Sequence, residues 1–463
     1  MPRLGVRVPL SPPSVQEGIN KYRHAFSTPT PRITTHDRLT SMVTLPNLPH
    51  LAALQSRDYR YTWGANALGG ASMWTFLVAS QWFVQEGSDS SGLVGLFTFA
   101  SMIPFLIVSP LGGLLADQVD RKKLALFTLI GGLAVVSISA ILAISGSLQF
   151  WHLCLLAFFS GSFRATQEPA VSSLVPNLVP SSHLLNAITL NAATRHGSRV
   201  IGMSLLMLSR LSNTHRFSIS EFLIASTIFA SIATWLMTFV KKESRGKPDE
   251  NNNLLQGMIQ GINYIYSHRK IGIFIFIVAF HCSLVMSFDS ILPILTIRRL
   301  QSSDEFILAF LVMGFGLGSL IGTFLLSGIL NDRCKGIVFF STVVLSGISP
   351  ICLGLSTSVA IAFSASFFMG ASQSSFMAMT STYVQSLSPD WIRGRISSLY
   401  ILHAGGIMAF ANLGYGYVAD FQGASLILIT TGLIFLAIIT TISFIDPTLK
   451  DAYTGQELAN VNP

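Results

Sequence analysis

The stretch "SPLGGLLADQVDRKKLAL", Ser109 to Leu126, lies between two long apolar runs and crowds Asp117, Asp120, Arg121, Lys122 and Lys123 into seven positions. The chain is otherwise short of ions. Of its 463 residues 50% are hydrophobic and only 11% charged, with a mean hydropathy of +0.57, whereas a soluble domain carries roughly 25% charged residues. Composition alone points to an integral membrane protein, and the charged stretch reads as a loop between two of its spans.

Apolar runs of about 20 residues are long enough to cross a hydrocarbon core as helices. Twelve candidate spans begin near Tyr59, Ser90, Leu124, Gln149, Leu184, Ser218, Ile271, Glu305, Gly336, Thr357, Arg393 and Ala424, and Pro169, Pro176 and Pro180 interrupt the region between the fourth and fifth. The fold class expected is an all-α membrane protein of twelve helices in two pseudo-symmetric six-helix bundles. Residues 51–240 form the first bundle, 241–270 a cytoplasmic linker and 271–447 the second bundle, with tails at 1–50 and 448–463. Within the linker, Leu254, Leu255, Met258, Ile262 and Ile265 fall near helical spacing. That pattern suits an amphipathic helix on the membrane surface and equally a solvated linker helix.

Placing both termini in the cytoplasm puts thirteen Lys and Arg of the short loops inside, from Arg121, Lys122 and Lys123 to Arg393 and Arg395, and leaves four outside: Arg210, Arg216, Arg298 and Arg299. The positive-inside rule selects this orientation. Two internal echoes support a duplicated unit. "GLLAD" at Gly113–Asp117 returns as "GILND" at Gly328–Asp332, an offset of 215, and "LVPNLVP" at Leu174–Pro180 returns as "YVQSLSP" at Tyr383–Pro389, an offset of 209. Parallel repeats of this kind are a known transporter plan.

The opening stretch has a physical use in such a plan. Gly112 and Gly113 allow a second helix to approach closely, and the Asp117 carboxylate can meet the positive end of a neighbouring helix. Contacts of that kind exist only while the two bundles meet on the loop's side. Gly113, Asp117, Arg121, Lys122 and their partial echo Asp332 and Arg333 are therefore candidates for a conformational latch.

"GGLLADQVDRKKL" resembles the loop signature of the major facilitator superfamily, with Gly113, Asp117, Arg121 and Lys122 on its G-x-x-x-D-x-x-x-R-[RK] core. The chain is similar to the bacterial branch holding enterobactin exporters and macrolide efflux proteins through "RDYRYTWGANALGG" at Arg57, "EPAVSSLVPNLVPSSHLLNAITLN" at Glu168, "SPDWIRGRISSLY" at Ser388 and "GYGYVAD" at Gly414. The resemblance covers roughly Leu51 to Pro447. It implies a secondary transporter with alternating access, its substrate site between the bundles, and export driven by proton antiport. Two departures bear on the coupling. "LGGASMW" has Ala71 and Ser72 where the family commonly carries an acid, and "RVIGMSLLM" has Met203 where many drug antiporters carry proline.

Charges within spans are costly and need partners or water. Arg164 and Glu168 lie i,i+4 on one face of span four, where they can pair; Glu168 can instead reach Arg121 and join the latch. Arg195 and Arg199 repeat that spacing in span five as like charges, which makes them candidates for lining a cavity. Asp289 in span seven and Glu168 are the acids to consider for proton coupling, and His403 in span eleven is either a packing residue or a relay. Gly314, Gly318 and Gly322 form a double G-x-x-x-G stripe in span eight, suited to close helix packing.

The four cysteines Cys154, Cys282, Cys334 and Cys352 lack the spacing of a disulfide framework or zinc site, so no metal and no cofactor is expected beyond a proton gradient. The partners expected are a small molecule and the lipid bilayer, with no nucleic acid, for a monomer in a bacterial cytoplasmic membrane. The first 41 residues carry six cations against two anions and lack a secretory h-region. "VRVP" at Val6–Pro9 back-translates to a transfer-RNA T-arm consensus, so translation is expected to begin at Met42; a genuine cytoplasmic tail is the alternative. No cluster of catalytic residues marks an enzyme. The leading expectation is an exporter of a siderophore or drug-like amphipathic compound; nutrient uptake and a transporter-like sensor without flux are the alternatives.

Overall fold

The computed structural model describes residues 49–212, 218–245, 254–327 and 331–454; the tail before residue 49, including Met42, lies outside them. Helices stand at all twelve expected positions: α1 (Arg57–Ser88), α2 (Ser91–Ile107) with its continuation α3 (Ser109–Gln118), α4 (Arg121–Ile144), α5 (Phe150–Leu178), α6 (Leu184–Ser212) and α7 (Ile219–Thr238) in the first half. The linker helix α8 (Leu254–Ser267) precedes α9 (Arg269–Leu284), α10 (Glu305–Ser327), α11 (Asp332–Leu355), α12 (Val359–Ser386), α13 (Asp390–Gln422), α14 (Ala424–Ile445) and the short α15 (Pro447–Thr454). Six of these helices are, among the described residues, long and apolar enough by themselves to cross a membrane, and a seventh crossing results if the bent pair α8 and α9 counts as one. Of the other helices at the expected positions, α2 is apolar but only 17 residues long, and α1 carries charged and amide side chains such as Arg60 and Gln81.

Two spans depart from expectation: Ser109–Gln118, expected as the start of a loop, continues the second span as helix past a break, and the seventh is interrupted. The second breaks at Val108, beyond a buried Pro104 and directly before Ser109 and Pro110; the two prolines deprive the helix of backbone donors. The seventh ends at Leu284 and resumes as a short turn at Leu292–Ile294 and a π-helix at Leu295–Arg299.

The two halves repeat one packing scheme. In the first, α4 lies against α5 and α7, and α2 against α5; in the second, α11 lies against α12 and α14, and α10 against α12. Between the halves, α2 packs on α13 and α6 on α10. These two pairs exchange the second and fifth spans of each half, the relation expected of a duplicated unit about a pseudo-two-fold axis.

Within the second half the glycine stripe of α10 sets the closest approach. A Cβ on Gly318 would lie 1.8 Å from the Phe367 carbonyl oxygen, while Gly314 and Gly322 face Phe363 and Ala371 of the same α12. The stripe thus joins two helices of one bundle. The neighbouring Gly316 meets the other half, with Arg199 and Val200 of α6 at 2.9 and 3.2 Å from its added Cβ position. Helix α8 turns Ile262 and Ile265 into the second half's core and places Gly261 against Leu399 of α13; Ile259 and Tyr266 remain exposed.

Candidate functional site

The halves are tied at the end that carries residues 88–91 and 298–304. The Asp420 carboxylate, at the end of α13, accepts from the Ser91 N–H at 2.6 Å, the Gly92 N–H at 3.1 Å and the Ser90 hydroxyl at 2.9 Å. An anion at a helix N-terminus meets unsatisfied N–H groups and the positive end of the helix dipole, and here the anion and the helix belong to different halves. One turn further along, Gly95 and Gly416 bring the backbones together: a Cβ on Gly416 would lie 2.4 Å from the Ser91 carbonyl oxygen. Asp89, held at φ 48° by the turn after α1, pairs with Arg298 at 3.5 Å. Phe222 and Phe306 add an aromatic contact with ring centroids 6.2 Å apart.

At the other end, where the basic loops lie, several polar contacts join elements of the same half. Asp58 accepts from the backbone N–H groups of Lys241 and Lys242, Asp120 accepts from Ser244 N–H at 2.9 Å, and Arg121 donates to the Ser173 carbonyl at 3.1 Å. In the second half Arg395 donates to Gln260, and Arg269 meets Asp446 at 2.6 Å. Lys122 and Arg333 are described in the same loops, Lys122 partly buried and Arg333 exposed with its N–H capped by Asn331. The surroundings of Gly113, Asp117 and Asp332 lie outside the described residues.

Between these ends a cavity of about 300 Å³ separates the halves. Its first-half wall includes Arg164, Glu168, Arg195, Trp74, Gln81 and Thr98; the opposite wall includes Asp289, Cys282, Met286, Met377, Tyr400 and Met408. Arg164, Glu168 and Arg195 also line a second, smaller cavity of about 190 Å³ inside the first bundle, beside Asn66, Gln167 and Asn191. Glu168 therefore stands in the partition between the two spaces. Its Oε1 is 3.8 Å from the Arg164 guanidinium, both side chains partly exposed, and Arg164 also lies over the Phe105 ring at 5.5 Å.

Arg195 is exposed on the cavity wall. Arg199, one turn on, is placed differently: its guanidinium sits 3.6 Å above the Trp74 ring and 4.5 Å from that of Phe315. It backs the cavity wall through Trp74 and bridges the halves by cation–π contact. Asp289 lies within electrostatic reach of it. His403 does not line the central cavity. Ile401, Ala404, Gly405 and Met408 of α13 face that space, whereas His403 and Ile407 turn into a lateral groove with Ile265, Arg269 and Ile445. The helix repeat accounts for the split, because positions i, i+3, i+4 and i+7 share one face. His403 keeps its Nδ1 at 2.7 Å from the Leu399 carbonyl, a bond within its own helix.

The residue that sequence reasoning passed over is Asp420. It closes "GYGYVAD", but its partners are some 330 positions earlier, and only the fold brings them together. The nearby Gly416 was the available sign of a close approach.

A family model described as transmembrane secretion effector matches residues 49–457. The chain belongs to the transmembrane secretion effector family. Among curated relatives of this major facilitator group, macrolide efflux protein A of Streptococcus pyogenes is 20% identical over 352 residues, covering 75% of this chain and 85% of that protein. The staphyloferrin A transporter of Staphylococcus aureus is 22% identical over 398 residues, covering 84% and 97%. Solved structures share the fold: the nucleoside transporter NupG superposes with a TM-score of 0.62 at 13% identity, covering 86% of this chain and 99% of that one. A bacterial homologue of the human lysosomal transporter Spinster, inward-facing and unoccupied, gives 0.58 at 13% identity, covering 90% and 99%. This chain is thus a multi-pass membrane transporter of an efflux-type family.

Proposed function

We propose that the protein exports a small amphipathic compound, of siderophore or drug-like kind, from a bacterial cytoplasm by alternating access and proton antiport. The observation that carries the reading is a charged cavity between two repeated halves, with the Asp420 carboxylate of the second holding the N-terminus of α2 in the first beyond one end of it. With the basic loops inside, as the positive-inside rule requires, the tied end is the outer one and the cavity faces the cytoplasm, ready to load cargo. Both termini are then cytoplasmic. Relatives named for macrolide efflux and staphyloferrin transport support export of an organic solute. Proton coupling is assigned to Glu168, whose carboxylate borders both cavities, with Asp289 across from it. One copy contains the whole site, and a monomer is the unit of transport.

In the outward-open state the tied end parts and the basic ends meet, and Asp117, Arg121, Glu168, Asp332 and Arg333 act as the inner latch. Everted vesicles carrying the protein should accumulate a siderophore or dye from a test panel when their lumen is acid, and should stop when the gradient is collapsed. Asp117→Asn should slow that uptake. Accumulation indifferent to the gradient would overturn the antiport reading, and full-rate uptake by Asp117→Asn would overturn the latch.

A further inference from the structure

Thioethers stand on both walls of the central cavity, Met73 and Met102 on the first half and three more on the second, but its guanidiniums stand only on the first, and Asp289 is on the second. On the second half the Cys282 Sγ lies 3.9 Å from the Met286 Sδ and 3.8 Å from the Met377 Sδ, and Met408 extends the same surface. Thioethers are polarizable and flexible, so such a wall accommodates apolar bodies of varied shape. The first half presents charge, and that charge does not balance. Arg164 has Glu168 at 3.8 Å. Arg199 has its two aromatic rings and the nearby Asp289. Arg195 is exposed to the cavity and shares the field of Glu168 with Arg164, so two guanidiniums of this wall face one carboxylate; among the described residues, Arg195 has no ion pair within contact distance and no hydrogen bond. A cation without its own counter-ion is costly within a membrane protein and marks a place where water or an anion enters.

We infer that the cargo is an amphipathic organic anion, its acidic group held by Arg195 and its apolar body laid against the methionine wall of the second half. The inference rests on the reading of this cavity as the transport site and adds the sign of the cargo's charge. A guanidinium offers paired N–H groups to a carboxylate, sulfonate or phosphate, whereas a cationic amphiphile of the same shape would bring like charge against Arg195. Glu168 stays between Arg164 and Arg195, and an anionic cargo group on Arg195 frees it to take the proton. A cavity of about 300 Å³ is at the small end of the range for small-molecule sites, which fits a single-headed amphiphile.

The test uses the full chain in lipid nanodiscs, with empty nanodiscs subtracted, titrated with 11-(dansylamino)undecanoate and with its analogue bearing trimethylammonium in place of carboxylate. The carboxylate probe should bind about tenfold more tightly or better, the usual effect of one charge-assisted hydrogen bond. Arg195→Gln should remove most of that preference and Arg195→Lys should retain part of it. Equal or tighter binding of the ammonium probe, no binding of either, or a preference untouched by Arg195→Gln would each overturn the inference. Flux of the two probes in proteoliposomes separates the underlying reading. Binding of the carboxylate probe without flux of either would sink the transport reading while leaving the charge preference standing; flux of the ammonium probe alone would keep the transporter and overturn the inference.

Discussion

Replacing Asp420 by Ala should open the outer end of the molecule. The carboxylate accepts three hydrogen bonds from the first residues of α2, two of them from backbone N–H groups, and each hydrogen bond to a charged group is worth about 1.5–3 kcal/mol. Water at the rim replaces part of this in the variant, and Ser90 still caps Leu93, so the net loss approaches that of one such bond, about 2 kcal/mol. The bonds cross between halves and break when the outer end parts, so the loss falls on the inward-facing state alone. At about 1.4 kcal/mol per factor of ten, the equilibrium moves about 30-fold toward the outward-open state. Spin labels at Gly87→Cys and Ser303→Cys, both exposed and on opposite halves, report it as a longer distance population after the four native cysteines are replaced. Gly87 tolerates the change because nothing lies within 4 Å of its added Cβ. An unchanged distance distribution in a folded Asp420→Ala protein would refute the reasoning.

Two further substitutions probe the scaffold. Gly318→Ala should lower stability by about 3 kcal/mol, the upper end of overpacking costs, because its Cβ meets a backbone oxygen at 1.8 Å; thermal unfolding in detergent reads it, with Gly87→Ala as an unaffected control. Asp446 lies just beyond α14: burial pushes its carboxyl up, but the bonds from Thr448 and the Arg269 guanidinium outweigh this and hold it below the usual carboxylate value. Its stabilising effect is therefore present above the unfolded value of about 4 and fades as pH falls through the lower folded value. Asp446→Ala should cost about 1 kcal/mol near neutrality, the size of a lost helix cap, and the gap from the unmodified chain should close in acid. A gap that widens in acid would contradict the sign.

Much of the architecture was legible because apolar run length and basic loops act locally. The starts near Leu184, Glu305 and Ala424 coincide with the first residues of α6, α10 and α14. The site was legible in part. Arg164 and Glu168 do share a wall, since the i,i+4 rule fixes a face within one helix, whereas Arg195 reaches the same wall from α6 through the packing of helices. That rule could not say which face of α13 turns inward, and so left His403 open between packing and relay. Nor could it separate Arg195 from Arg199, because Trp74 and Phe315 come from two other helices. The interruption of the seventh span between Leu284 and Leu292 had its signs in Ser287, Asp289, Ser290 and Pro293, but Val285, Phe288 and Ile291 among them kept the run apolar. Asp420 was invisible for the strongest reason: its meaning is a contact between halves.

Proton antiport is the claim on which the rest depends, and proteoliposomes recording lumenal pH and solute together test it most directly. The account predicts that 11-(dansylamino)undecanoate moving one way drives protons the other way, and that Glu168→Gln abolishes the proton movement while binding of the probe persists. Solute flux with no proton movement, or with protons travelling in the same direction, would contradict it.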